Sequence, residues 1–188
     1  MLQSAGADDL TAVLRARRSI DLFAPDPVDP ETLRQAIEVA RWAPNHRLTE
    51  PWRFYLLGRS TMSAVIDLAV ELEVAAKGDR AGAARRMRLE AIPGTFVLTS
   101  RRSDDALLDR ENYAACCCAA QNLMLYLWPQ GIGVKWTTGG ITRHARFYEL
   151  LGIDSANESI VGFFWYGRPK VVPAQQRRPV TEIVTELA

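Results

Sequence analysis

The stretch ARWAPNHRLTEPWRF, residues 40–54, holds two tryptophans, three arginines and one of the two histidines of the chain. A proline ends the helix predicted before it, and a strand, WRFYLLG, is predicted after it. The polar residues between the two tryptophans therefore lie in a loop. We expect Trp42 and Trp52 to anchor this loop in the core. We expect His46 and Arg47 to be presented to a ligand or to a partner subunit.

The length and composition are those of an ordinary globular protein. The chain has 188 residues, of which 48% are hydrophobic and 24% are charged, and we predict one domain over residues 1–188 with a C-terminal arm from about residue 168. The net charge of +1 is balanced, and the most apolar segment, residues 113–128, is shorter than the ~20 residues that span a bilayer. We therefore predict neither a nucleic-acid nor a membrane partner.

The opening segment MLQSAGADDL has neither the basic start nor the apolar run of a secretory signal. This pattern predicts a cytoplasmic location.

Helical and strand patterns do not alternate strictly along the chain. Asp29 is a predicted helix cap before Pro30, and a long central helix is predicted over residues 109–130. The basic segment KGDRAGAARRMRLE, residues 77–90, fits an exposed helix or a mobile loop. Strands are predicted at WRFYLLG, TFVLTS, GVKWTT and SIVGFFWYG. Together, these predicted helices and strands indicate an α+β fold, with a small mixed sheet covered by helices.

The three cysteines are consecutive, at residues 116–118. Neighbours on a helix point about 100° apart, so these thiols do not converge on one metal. We expect small, buried core residues, and nothing nearby supports the alternative of a redox thiol. His46 and His144 are too few for a histidine-rich metal centre, so no metal site is predicted.

The usual catalytic motifs are absent from the sequence. It contains no G-x-S-x-G, no H-E-x-x-H and no phosphate-binding P-loop. GIGVKW, residues 131–136, follows a helix and precedes a strand, which is the reverse of a dinucleotide fingerprint. No carboxylates stand out as a paired acid and base. The sequence therefore predicts no catalytic side chain and favours a bound cofactor that carries the reaction.

Three further segments each allow two interpretations. RARRSI complements the dipole of a helix end or clamps a phosphate through arginine forks and a serine hydroxyl. The glycine pair in GVKWTTGGIT makes a simple turn or lets a planar ligand approach the backbone. QQRRPVTE is a solvated basic tail or part of the same site.

The order of these segments resembles the FMN-dependent nitroreductase family, especially its short, single-domain bacterial branch. An R-R-S element matches residues 17–19, and an A-P…P-W-x-F pattern matches residues 43–54. A G-x-G-x-x-W-x-[ST]-G segment matches residues 131–139. The strand IVGFFWYGRP, residues 160–169, is similar to that of the family.

The resemblance implies a nitroreductase-like fold with a mainly antiparallel central sheet, and a homodimer that exchanges its C-terminal arms. Two FMN sites would lie at the subunit interface. The residues implied at each site are the phosphate and ribityl ligands Arg17, Arg18, Ser19 and Arg177, the flavin neighbours His46 and Glu50, and the backbone of Trp136, Thr137, Thr138 and Gly139 near flavin N5. Four positions depart from the family pattern: Asp21, Leu48, Glu50 and Gln175.

The activity that the resemblance implies is an FMN-dependent NAD(P)H oxidoreductase. NAD(P)H would give a hydride to flavin N5 and leave, and a nitroaromatic, a quinone or a related acceptor would follow in a ping-pong cycle. The alternative is a flavin-binding or interaction protein without turnover, which Asp21 and Glu50 favour. A basic nucleic-acid module is a weaker third interpretation.

Overall fold

The structure is a computed structural model that describes residues 7–187, with only the backbone for residues 7 and 8. Most of the opening segment used for the localisation prediction lies outside this range. The helices are α1 (Ala7–Ala16), α2 (Pro30–Ala40), α3 (Arg59–Lys77), α4 (Asp79–Glu90), α5 (Ala106–Leu127) and α6 (Ala145–Leu151). The strands are β1 (Trp52–Leu56), β2 (Gly94–Arg101), β3 (Gly133–Thr137) and β4 (Glu158–Gly167). Within the described range, no helix is both long and apolar enough to cross a bilayer.

The four strands form one sheet in the order β1-β2-β4-β3, and each neighbouring pair is antiparallel. One parallel bridge joins Ser19 to Val134 at the β3 edge. The prediction of an α+β fold with a mainly antiparallel sheet is confirmed. Residues 77–90, which the sequence fits to an exposed helix or a mobile loop, form the end of α3 and all of α4.

The two faces of the sheet carry separate halves of the core. Phe96 and Leu98 of β2 pack with α2 and α5, whereas Val97 between them packs with α3, α4 and α6, as the alternation of side chains along a strand requires. The rings of Phe96 and Phe164 stack at a centroid distance of 4.7 Å. Burying such a side chain contributes about 1.5–3 kcal/mol, so this stacked pair stabilises the half of the core that packs against α2 and α5.

Helix ends follow local capping chemistry. The Asp29 side chain accepts a hydrogen bond from the Glu31 N–H at 3.0 Å, which confirms the predicted cap of α2. The predicted start of α5 at residue 109 is wrong, because Asp105 accepts from the N–H groups of Leu107 and Leu108 and begins the helix at residue 106. The α-helix also ends before residue 130, in a 3-10 turn that contains a proline.

Two burial predictions are wrong, the one for Trp42 and the one for the three cysteines. Trp42 is 75% exposed, because it lies beyond the buried stripe that ends at Ala40. Its indole N–H donates to Glu38 at 3.4 Å, and the Arg41 guanidinium lies over the ring. Trp52 is half-buried against the core, as expected in part. The prediction that all three cysteines are buried is also wrong, because they diverge around α5: Cys116 is buried, Cys117 is intermediate and Cys118 is exposed.

The two glycines of GIGVKW have separate structural uses. Gly131 has a φ of 73°, which is a left-handed conformation that glycine adopts without strain, and it ends the turn after α5. A Cβ at Gly133 would lie 2.3 Å from Cγ1 of Ile20. Gly133 therefore lets the segment around Ile20 approach β3 closely.

Candidate cofactor site

Three arginines from opposite ends of the chain line one cleft. α1 ends at Ala16, so Arg17 and Arg18 extend from the helix terminus. Arg177 reaches the same place from the C-terminal arm. The cleft has a volume of about 400 Å³ and is completed by Leu14, Arg15 and Gln175.

The donors of this cleft are not all satisfied. Arg18 Nη1 donates to the carbonyls of Arg15 at 2.6 Å and of Arg17 at 2.8 Å. The Nε atoms of Arg17 and Arg18 are buried and have no hydrogen-bond partner in the structure. Burial, followed by repulsion from Arg177 and Arg18, lowers the pKa of Arg17. Buried donors in natural proteins are nearly always paired, so this cleft suits an anion with several acceptor oxygens.

The segment that carries these arginines is fixed against β3. Ser19 bridges Val134 in parallel orientation, and the Ile20 N–H donates to the Val134 carbonyl at 3.3 Å. Because the segment runs parallel to β3, Arg17 lies toward the start of the strand and Asp21 lies toward its end. The Ser19 side chain is exposed at this edge.

Two side chains of β3, those of Trp136 and Thr137, are committed to the sheet. Trp136 stacks on Phe164 at 5.2 Å and donates from Nε1 to the Val161 carbonyl at 3.0 Å. Thr137 donates from its hydroxyl to the Phe163 carbonyl at 2.6 Å. What these residues can offer a ligand is therefore backbone.

The turn after β3 is open. Thr138 and Gly139 are exposed, and within residues 7–187 no atom beyond the adjoining backbone lies within 4 Å of the position that a Cβ would take at Gly139 or Gly140. Both glycines line a cavity of about 350 Å³ together with Ala69, Leu72, Glu73, Arg85, Ile141 and His144. The cavity combines an apolar floor with the half-buried Arg85 cation and the Glu73 carboxylate, and a planar ligand could approach the backbone there.

The loop that contains His46 and Glu50 has a strained backbone. Arg47, Leu48 and Glu50 have φ values of 58°, 48° and 43°, which cost non-glycine residues roughly 1–2 kcal/mol each. Asn45 helps to hold this shape, since it accepts from the Glu50 N–H at 2.7 Å. Strain of this kind gathers at functional sites.

A polar chain ties the same loop to α5. The Asn45 amide donates to the Thr49 hydroxyl at 3.0 Å, and that hydroxyl donates to Asn112 Oδ1 at 2.7 Å. Asn112 is 2% exposed and donates to the Arg101 carbonyl at 3.2 Å. The strained loop is therefore anchored to a buried residue of α5.

Within one chain, this loop does not meet the arginine cleft. The loop leads into β1, and Ser19 lies beside β3, at the opposite edge of the sheet. Three strand spacings of about 4.8 Å separate those edges. His46 is exposed, and Glu50 lines a different cleft with Trp52, Arg53 and Glu158. The sequence-predicted residues thus fall into two groups, one at each edge.

Sequence reasoning missed an ion-pair cluster beside the cleft. Asp21 accepts a hydrogen bond from the Lys135 ammonium and another, at 2.9 Å, from Arg88. The hydrogen bond from Lys135 is the main cause that lowers the pKa of Asp21. The available signal was the alternation of β3, which places Lys135 on the face opposite Val134 and Trp136. Arg88, on α4, had no such signal.

No group of three or more His, Cys, Asp or Glu side chains in residues 7–187 is arranged to bind a metal ion.

Comparison with known proteins assigns the family. A sequence model of the Nitroreductase family matches residues 14–168. YfhC of Bacillus subtilis, provisionally named an NAD(P)H nitroreductase, is 29% identical over 95% of this chain and 94% of its own length. A nitroreductase-like family protein from Bacillus cereus superposes with a TM-score of 0.85 at 28% identity, covering 95% of each chain.

A provisionally assigned nitroreductase from Desulfovibrio desulfuricans, solved in complex with FMN, has the same fold, with a TM-score of 0.76 at 20% identity over 95% of this chain and 96% of its own. The chain belongs to the nitroreductase family.

Proposed function

We propose that this protein is an FMN-dependent NAD(P)H oxidoreductase of nitroreductase type. The observation that carries the proposal is the cleft in which Arg17, Arg18 and Arg177 meet around unpartnered guanidinium nitrogens. A phosphate monoester such as that of FMN offers the charge and the acceptor oxygens that these donors lack. The FMN held by the Desulfovibrio protein and the name of YfhC support the same cofactors.

The residues of this chain would bind and orient the cofactor. Arginine forks and the Ser19 hydroxyl would hold the phosphate end. The open backbone at Thr138, Gly139 and Gly140 would meet the ring. Bound FMN supplies hydride transfer between NAD(P)H and an acceptor such as a nitroaromatic or a quinone. The protein supplies position and charge, so no side chain needs to act as a reagent.

We further propose that the active form is a homodimer. In one chain, His46 and Glu50 are separated from the arginine cleft by the width of the sheet, and a second copy could supply them. Every residue from 170 to 187 is exposed, including Val171, Val172, Ile183 and Val184 of the arm. An arm with so much exposed apolar surface favours exchange onto a partner. Light scattering after size exclusion tests this; a monomer that retains FMN would contradict it.

The exposed thiol of Cys118 is compatible with a reducing compartment, and we propose the cytoplasm as the place of action.

A flavin-binding protein without turnover is the second candidate. Asp21 and Glu50 favour it, because both place a carboxylate near residues assigned to the cofactor. The test is to add FMN to the purified protein, remove unbound flavin by gel filtration and record the visible spectrum. NADH or NADPH is then added without oxygen, followed by a nitroaromatic or a quinone.

We expect retained flavin absorbance, bleaching by a nicotinamide donor and recovery on addition of the acceptor. Retained flavin that neither donor bleaches would support the second candidate. Failure to retain FMN would contradict both.

A further inference from the structure

One buried indole is surrounded by three cations. Trp165 of β4 is 2% exposed, and the charged groups of Arg85, Arg88 and Lys135 lie over its ring, 5.8, 5.3 and 5.4 Å from the centroid. The Trp165 N–H is buried and has no hydrogen-bond partner in the structure. A single cation over a tryptophan is a common stabilising contact. Three around one ring also repel one another.

The cluster is only partly neutralised. Asp21 pairs with both Lys135 and Arg88, and these are the only ion pairs formed by the three cations within residues 7–187. Burial is the main cause that lowers the pKa of Arg85, and Arg88 adds to it. Glu73 also acts electrostatically on Arg85 and opposes the lowering of its pKa. Two carboxylates therefore face three cations, and the cluster keeps a net positive charge.

The cluster lies between the two parts of the proposed cofactor site. Asp21 follows Ser19 by two residues, and Lys135 follows Val134, the bridge partner of Ser19. Arg85 contributes to the cluster and also lines the cavity at Gly139 and Gly140. The order along the β3 edge is therefore the arginine cleft, then the cation cluster, then the open glycine turn. A ligand that occupies both the arginine cleft and the open glycine turn would therefore lie against the positively charged cluster.

We propose that Lys135 and Arg88 favour the reduced state of bound FMN, and that Asp21 sets the strength of their effect. This inference rests on the proposed function. Reduced flavin carries more negative charge than oxidised flavin near N1, so a fixed positive charge beside the ring binds it more tightly. Lys135 has a side chain only 24% exposed, where solvent screens its charge less than at the surface. Asp21 opposes this effect, since its carboxylate adjoins both cations.

The test measures the reduction potential of FMN bound to the full-length protein, with Lys135→Gln, Asp21→Asn and Arg86→Gln. Arg86 is the control, because it lies on α4 beside Arg85 but pairs with Asp67 and Glu90. FMN affinity is measured for each variant, and its thermal unfolding is recorded without flavin.

Lys135→Gln is expected to lower the ratio of the affinities for reduced and oxidised FMN about tenfold, which is a potential about 30 mV lower for a two-electron couple. Asp21→Asn should raise the potential by a similar amount, and Arg86→Gln should leave it unchanged. The opposite signs separate a charge effect from damage to the fold.

Unchanged potentials in both variants, or shifts in the same direction, would overturn this inference while leaving the proposed function intact. A wild-type protein that does not retain FMN would overturn both.

Discussion

Arg17 and Arg177 lie near opposite ends of the chain and line the same cleft, where burial and then Arg177 lower the pKa of Arg17. Two cations held together in this way destabilise the folded chain unless an anion joins them. The cleft therefore lowers the stability of the ligand-free protein, as expected of a residue arrangement kept for binding.

Replacing Arg177 should accordingly have opposite effects on binding and on stability. Arg177→Gln removes a like charge, so the thermal midpoint of the flavin-free protein should stay the same or rise by up to about 2 °C. FMN affinity should fall at least tenfold, the value of one charge-assisted hydrogen bond. Arg178→Gln, the neighbouring exposed arginine, is the matched control for calorimetry and titration. A clear loss of stability with unchanged FMN affinity would contradict the assignment.

The buried amide of Asn112 should control the strained loop. Asn112→Leu removes the acceptor of the Thr49 hydroxyl and the amide donor to the Arg101 carbonyl, at a cost of about 1–3 kcal/mol. For a chain of this size we expect a fall of about 3–10 °C in thermal midpoint. Asn122→Leu, half-exposed on the same helix, should change the midpoint far less. Equal effects of the two substitutions would mean that the network does not hold the loop.

The Asp21 ion pairs should contribute stability only above acidic pH. The hydrogen bond from Lys135 is the first cause that lowers the pKa of Asp21 in the folded state, below its ordinary value of about 3.9. The contribution is complete above that value and is lost as the pH falls through the folded-state pKa. Wild type should therefore unfold at a higher temperature than Asp21→Asn at pH 7. The difference should shrink as the pH is lowered below the ordinary carboxyl value and disappear once Asp21 is protonated in the folded state; a difference that stays constant under acidification would exclude the carboxylate as its source.

Cys116 should resist alkylation in the folded protein. Burial raises the pKa of its thiol to about 12, and its Sγ lies 3.6 Å from the Thr99 carbonyl oxygen. At pH 8 only ~10⁻⁴ of this thiol is the reactive thiolate. Peptide mapping after iodoacetamide treatment should find Cys116 modified only in denaturant. Equal modification rates in native and denatured samples would contradict its burial.

Local chemistry made much of the fold predictable. Asp29 and Pro30 define a helix start whatever surrounds them, and the strands were visible as apolar runs bounded by turns. Trp42 was misjudged because hydrophobicity predicts burial only on average. Its exposure follows from its place two residues after Ala40, the last buried residue of α2, which the sequence alone does not reveal.

The site was predictable in its residue types more than in its geometry. The residue pattern alone left both arginine segments open to two interpretations, and only the resemblance to the nitroreductase family predicted that Arg17, Arg18 and Arg177 share one phosphate site. The ion pairs of Asp21 were missed because they join segments far apart in the chain. The parallel bridge from Ser19 to Val134 brings Asp21 beside Lys135, and Arg88 reaches it from α4. Pairings of this kind depend on tertiary contacts that have no local signal.

The central claim is that the arginine cleft binds the FMN phosphate, and the most direct measurement compares FMN with riboflavin, which has the same ring system and no phosphate. Titration of the flavin-free protein should give an affinity for FMN at least a hundredfold higher, the equivalent of about 2.7 kcal/mol. In Arg17→Gln this preference should fall at least tenfold, while riboflavin affinity stays constant. Equal affinities for the two flavins in the wild-type protein would contradict the account.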